Sequence, residues 1–189
     1  MSTSFIYPII RALTIGLVAA GIPVVMAAET HGFHSGRDDM KLAEKVRRAV
    51  AVRYSDIHVA ENETPEAWVH ATGCVSGPNE GAMGVHLVKM SRVGDAVLNA
   101  EEPEALIYEP LANGGHRLVG VEFILLAANF PSDPPGPSLE GQHLNYVGSP
   151  NRYNLPAFYE LHVWFREDNP KGTFADWHTR VSCEKQSGN

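Results

Sequence analysis

The chain has 189 residues, with 15 Lys plus Arg against 22 Asp plus Glu and a net charge of −7, a balance that argues against nucleic-acid binding, which needs a clustered basic stripe. The nearest approach to one, "KVRRAVAVR", falls on a predicted helix beside Asp38, Asp39 and Glu44, where charges three and four residues apart make a solvated face. The length suits a single domain with one core, and no internal repeat is visible.

Residues 1–28 carry the features of a signal peptide: a short start with the single charge Arg11, then the uncharged run "ALTIGLVAAGIPVVM". Val25 and Ala27 meet the small-residue rule for cleavage after Ala27, with Ala28 as the alternative. An anchor is the rival reading. The run of about fifteen apolar residues, broken by Gly21 and Pro23, falls short of the roughly 20 a spanning helix needs, so no stable membrane span is expected after processing. Export to the periplasm or beyond follows, and loss of Arg11 leaves 14 basic against 22 acidic residues, a net charge of −8. The two cysteines, Cys74 and Cys183, are then predicted to pair in an oxidising compartment. The bridge closes a loop of about 110 residues, worth on the order of 4 kcal/mol in the chain-entropy account. A thiolate zinc site would need a CxxC spacing that is missing.

The remainder, 29–189, reads as one α+β domain. "HGFHSGRDDMKLAEKVRRAVAVRY" offers Ser35 as a cap, Asp38 three residues on, and apolar residues at helical spacing, Leu42, Val46, Val50 and Tyr54. "SDIHVAENETPEAW" either continues this helix or forms a second short turn, with Pro65 as a break. "GCVSGPNEGAMGVHLV" reads as turn-rich, ending in a short strand at Val85 to Val88. "PEALIYEP", "HRLVGVEFILLAA" and "AFYELHVWF" read as strands, the first two joined as a hairpin through "LANGGH". Helices first and strands later imply amphipathic helices packed on a curved, mostly antiparallel sheet, with a barrel-like form as its extreme.

Between the last two strands, "FPSDPPGPSLEGQHLNYVGSPNRYNLP" holds six of the thirteen prolines, which excludes a helix or a central strand. Such a connection is either a lid facing a ligand or a plain surface excursion. It carries His143, Tyr146, Arg152 and Tyr153, of which Tyr146 is a candidate ligand contact.

Chemistry enters with "FYELHVWF". Period-two alternation puts Tyr159, Leu161, Val163 and Phe165 on one face and Glu160, His162 and Trp164 on the other. The second face is either a wet sheet surface or the lining of a cavity. Residues two apart on a strand stand about 6.6 Å apart, close enough for Glu160 and His162 to converge on one group. Glu122 is the only charged residue between Arg117 and Asp133, and burying it alone would be costly. His86 follows a glycine-rich turn and alternates with Val85 and Leu87. Together His86, Glu122, Glu160 and His162 offer two imidazoles and two carboxylates, a set suited to zinc, iron, manganese or another divalent ion. No HExxH, cupin-type HxH, GxSxG or phosphate loop is present. His31 and His34 lie near the mature N-terminus, and His58, His70, His116, His143 and His178 are isolated singles.

The order of segments, "RYSDIHVA", "GCVSGPNEGAMGVHLV", "PEALIYEP", "LVGVEF", "ELHVWF" and "NPKGTFADWHTRVSC", resembles a group of uncharacterised exported bacterial proteins with GMGxH, PExLxYxP, LVGVE and ELHVW segments. The resemblance covers most of 40–183. It implies that His86, Glu122, Glu160 and His162 form a related set, with Tyr108, Trp164 and Trp177 nearby. The group has Asn where this chain has His178, so the resemblance assigns that position no role. Three readings follow: a protein binding a small molecule or divalent metal, a metal-assisted or acid-base enzyme, and a structural or partner-binding envelope module. The oligomeric state is not readable.

Overall fold

In the computed structural model, residues 35–130, 135–153 and 155–186 are described. The leading segment 1–28, His31, His34 and the capping side chains of Ser35 and Asp38 lie outside the described residues and side chains. Helix α1 spans Ser35–Val50, and its four-residue apolar repeat does what the spacing predicts: Leu42, Val46, Val50 and, just beyond, Tyr54 are all buried. Burying a side chain of this kind contributes roughly 1.5–3 kcal/mol, so this stripe alone docks the helix on the sheet. Its opposite face carries Glu44 paired with Arg47 and Arg48. Helix α2, Ile57–Glu61, is a separate short turn capped by Asp56, whose carboxylate accepts from the His58 N–H at 3.0 Å.

Among the described residues eight strands follow: β1 Val69–Gly77, β2 Gly81–Val88, β3 Ala105–Pro110, β4 His116–Leu126, β5 Ser138–Leu139, β6 Gln142–His143, β7 Asn145–Val147 and β8 Phe158–Trp164. Six of them form one curved antiparallel sheet in the order β1-β2-β3-β4-β8-β7, and β5 and β6 pair by themselves. The fold class is therefore the α+β arrangement that the sequence predicts. β3 and β4 form the expected hairpin, closed across the loop by a hydrogen bond from Leu111 N to Gly115 O of 2.8 Å.

Three local expectations are corrected. The stretch "GCVSGPNEGAMGVHLV" is mostly strand, a bulged β1–β2 hairpin rather than a run of turns. Its glycines serve close approach as well as turning: at Gly81, with φ +86°, a Cβ would stand 2.2 Å from the His178 carbonyl oxygen, and at Gly84, with the same φ, 2.7 Å from that of Tyr108. A short helix, α3 Met90–Asp95, lies where no helix is predicted. Finally, the proline-rich connection is not structureless, since it contains β5, β6 and the edge strand β7, with its prolines outside all three.

The two faces of the sheet are covered differently. One packs Val85, Leu87, Leu106, Val121, Phe123, Leu161 and Val163 against α1, α2 and Trp68 to make the main core. The other has an apolar patch at each end. One consists of Ala82, Ile107, Val119, Trp164 and Val181, the other of Val88, Val93, Ala105, Ile124 and Phe158. The Cys74–Cys183 disulfide, with Cα atoms 5.5 Å apart, ties β1 to the C-terminal segment. Backbone hydrogen bonds between Ala82 and His178, of 3.2 and 3.0 Å, fasten the same segment along β2. The second face is thus an enclosed layer and not a wet surface.

Glu104, at the entrance to β3, is also buried and accepts from Ile124 N at 3.0 Å. Burial pushes its carboxyl up to about 8. Below the ordinary carboxylate range both folded and unfolded chains hold this proton and the group is neutral towards stability. As the pH rises from about 4.5 towards 8 the unfolded chain ionises first, so stability is lost across that window. The loss is on the order of 5 kcal/mol. Glu104→Gln, which keeps an acceptor for Ile124, is expected to flatten this part of the pH profile in urea denaturation. A variant that loses stability between pH 5 and 8 as steeply as the wild type would contradict this account.

Candidate metal centre

Strand register brings the four candidates together. Glu122 on β4 stands directly opposite His162 on β8, and Glu160 lies diagonally from Glu122, two residues along β8. His86 on β2 is separated from β4 by β3, so two interstrand spacings of about 4.8 Å must be bridged by side chains. The residue of β3 opposite Glu122 is Ala105, whose small side chain leaves room above the sheet. Opposite His86 on β3 is Ile107, and His86 Nε2 and Glu122 Oε2 approach to 3.5 Å across this strand.

His86, Glu122 and His162 each place a ligand atom within 4.8 Å of the others, and all three residues are buried. A second triad, Glu160, His162 and Asp176, meets the same distance and shares His162. The 3.5 Å separation of His86 and Glu122 is long for a hydrogen bond. It matches the roughly 3.3 to 3.5 Å between two ligands each about 2.0–2.2 Å from a tetrahedral ion. His162 is 0 % exposed. Its ring stacks on Trp164 with centroids 5.9 Å apart and meets His86 edge-on at 5.7 Å.

Buried polar atoms are almost always hydrogen-bonded. Here both ring nitrogens of His162 and Oε2 of Glu160 have no hydrogen-bond partner among the described residues. Asp176 Oδ1, the carboxylate nearest His162 Nδ1, is 4.0 Å away and too far to satisfy it. By contrast, His86 Nδ1 lies 3.3 Å from Thr72 Oγ1, which orients the ring and leaves Nε2 towards Glu122.

Protonation follows from the same enclosure. Burial drives His86 down to about 4 and His162 well below the ordinary imidazole range, so both rings are neutral at pH 7 and have lone pairs to offer. Burial pushes the Glu122 carboxyl well above the usual range, and the neighbouring Glu160 adds to the shift through its charge and a shared hydrogen bond. Burial raises Glu160 to about 6, with the hydrogen bond from Glu122 acting the other way. Glu122 therefore holds the proton of the pair while Glu160 keeps one oxygen unpartnered.

The cluster is reached through a cleft of about 160 Å³ lined by Met83, Val147, Asn151, Arg152, Tyr153, Glu160, Asp176 and Trp177. Four of these residues, Val147, Asn151, Arg152 and Tyr153, belong to the proline-rich connection, whose segment 151–153 forms one wall. A larger crevice of about 610 Å³ runs along α1 beside Arg47, Arg166 and Glu167, and of the candidates it touches only Trp164.

The other predicted contacts divide. Trp164 packs on His162 and donates its indole N–H to Ala175 O at 2.6 Å, and Trp177 lines the cleft. Tyr108 is not brought to the cluster. It points into the main core and donates to Tyr54 O at 2.8 Å. Tyr146 is 61 % exposed and packs on Tyr159, the residue of β8 that faces away from His162. His178 is buried and satisfied, with Nε2 donating to Glu167 O at 3.3 Å and Nδ1 accepting from Arg180 N at 3.1 Å. Two contributors were not anticipated: Thr72 and Asp176. The clue to Asp176 was indirect, since a bridge at Cys183 must draw "FADWHT" towards the sheet.

Comparison with protein-family models, with curated proteins and with solved structures returns no match.

An orphaned imidazole in a dry layer costs stability that an ion would restore, each unmet buried group costing about 1–3 kcal/mol. His162→Leu, which nearly conserves volume and removes both orphaned atoms, is therefore expected to stabilise the metal-free chain by about 1–3 kcal/mol. Urea denaturation with a chelator present is the measurement. A variant less stable than the wild type under those conditions would mean that His162 is a packing residue.

Proposed function

We propose that the chain is an exported protein whose second sheet face holds a divalent metal ion, with His86, Glu122 and His162 as ligands and Glu160 completing the set. One observation carries this reading: three buried polar atoms on two adjacent residues of one face, His162 Nδ1, His162 Nε2 and Glu160 Oε2, have no partner. Two neutral imidazoles with one or two carboxylates form a donor set for zinc, iron or manganese. Burial of all four residues argues against an adventitious surface site. Export is supported by the Cys74–Cys183 bridge, because disulfides persist in oxidising compartments. No helix among the described residues is long and apolar enough to cross a membrane.

A second reading, metal-assisted or general acid-base catalysis on a small molecule, is favoured by the position of Glu160. It lines the cleft and, at about 6, is poised to move protons near neutral pH. An envelope module with dispersed acids and imidazoles is disfavoured by their convergence.

Metal analysis of untagged protein is the direct test. About one equivalent of a transition metal is expected, and its addition to chelator-treated protein should raise the melting temperature by about 5 °C or more. Glu122→Gln and His86→Ala should each abolish that rise while remaining folded by circular dichroism. Less than about a tenth of an equivalent bound, with no thermal shift on adding zinc, iron(II) or manganese(II), would exclude the metal reading.

A further inference from the structure

The site as proposed is closed, and an ion cannot reach ligands buried to this degree without shedding its water. The second triad bears on how it does so. Glu160 and Asp176 both line the cleft, and Asp176 keeps 39 % of its side chain exposed, while His162 at their back belongs to both triads. An ion that arrives with a water shell exchanges part of it for protein oxygens before it reaches the buried imidazoles. The unpartnered Glu160 Oε2, on a residue 5 % exposed, is a ready acceptor of that exchange.

Resting on the metal-binding reading above, we propose that Glu160, Asp176 and His162 form a second, outer cation position at the floor of this cleft, a loading station from which the ion passes to His86 and Glu122. The carboxylates take the partly hydrated ion first. His162 then carries the transfer, because one ring with two free nitrogens reaches both triads. Arg152 occupies the approach: its guanidinium lies over the Trp177 ring, 5.5 Å from the centroid, and makes no salt bridge among the described residues. Its positive charge, in the same cleft as Glu160 and Asp176, opposes an incoming cation.

The experiment is stopped-flow mixing of Co²⁺ with the chelator-treated mature chain, followed by the visible absorption of the bound ion, with equilibrium titration in parallel. Asp176→Asn keeps an oxygen to accept from Asn145 Nδ2, which lies 3.3 Å away, so the fold is undisturbed. It should slow loading by about fivefold or more with the final affinity within about threefold of wild type. Arg152→Gln should speed loading, and Glu101→Gln, an exposed acid outside the cleft, should leave it unchanged. Asp176→Asn loading at the wild-type rate would overturn the outer position. So would equal slowing by Glu101→Gln, which would reduce the effect to the general field of the protein. Wild-type protein that takes up no Co²⁺ would instead remove the metal reading itself, and the outer position with it.

Discussion

The constraint on which this structure turns is the burial of Glu122 and His162 opposite each other in the middle of a sheet. Neither side chain is at ease there. The carboxyl keeps its proton far above the normal range, and the imidazole is so desolvated that it stays neutral. Two alternatives would relieve the strain, exposure to water or replacement by apolar residues, and the chain does neither. Instead, the apolar patches on either side, around Trp164 and around Phe158, seal the polar band between them. Among the described residues, the buried side-chain polar atoms without a hydrogen-bond partner are all in this band, on Glu160 and His162.

The sealing depends on chain ends that are distant in sequence. Among the described residues, the C-terminal segment has no helix or strand after β8. The Cys74–Cys183 bond and the paired hydrogen bonds between Ala82 and His178 fix it against β1 and β2. Val181 and the ring of His178 then close over Trp164. Gly81 permits this approach because any Cβ there would collide with the His178 carbonyl. The disulfide thus has a local role beyond its loop-closure entropy, since it positions the segment that carries Asp176.

How much of this was legible in the sequence depends on the kind of signal. Alternation in "FYELHVWF" separates Glu160, His162 and Trp164 from Leu161 and Val163, and a lone acid in "LVGVEFILL" marks Glu122, because both follow from the two-residue period of a strand. The same rule separates His86 from Val85 and Leu87. Tyr108, expected near the cluster from the resemblance alone, instead shares the face of Leu106, which is the main core. Tyr146 escaped for another reason. Its orientation is inherited from pairing with Tyr159 on β8, a contact no local pattern encodes. The glycines of "GPNEGAMG" were legible as special but not as strand, because close approach and turning require the same residue.

Asp176 marks the limit of such a reading more sharply. It sits in a loop without periodicity, and its relevance comes only from folding back onto His162. Its exposure gives it a character opposite to that of Glu122. Burial pushes the Glu122 carboxyl towards its neutral form, whereas Asp176 stays in contact with solvent. The cluster therefore runs from Asp176, whose side chain is 39 % exposed at the mouth, to the buried Glu160 and Glu122, which burial raises to about 6 and well above the usual carboxylate range respectively. In the cation-binding reading proposed above, this ordering of the donors, more than their number, is what gives the layer a direction.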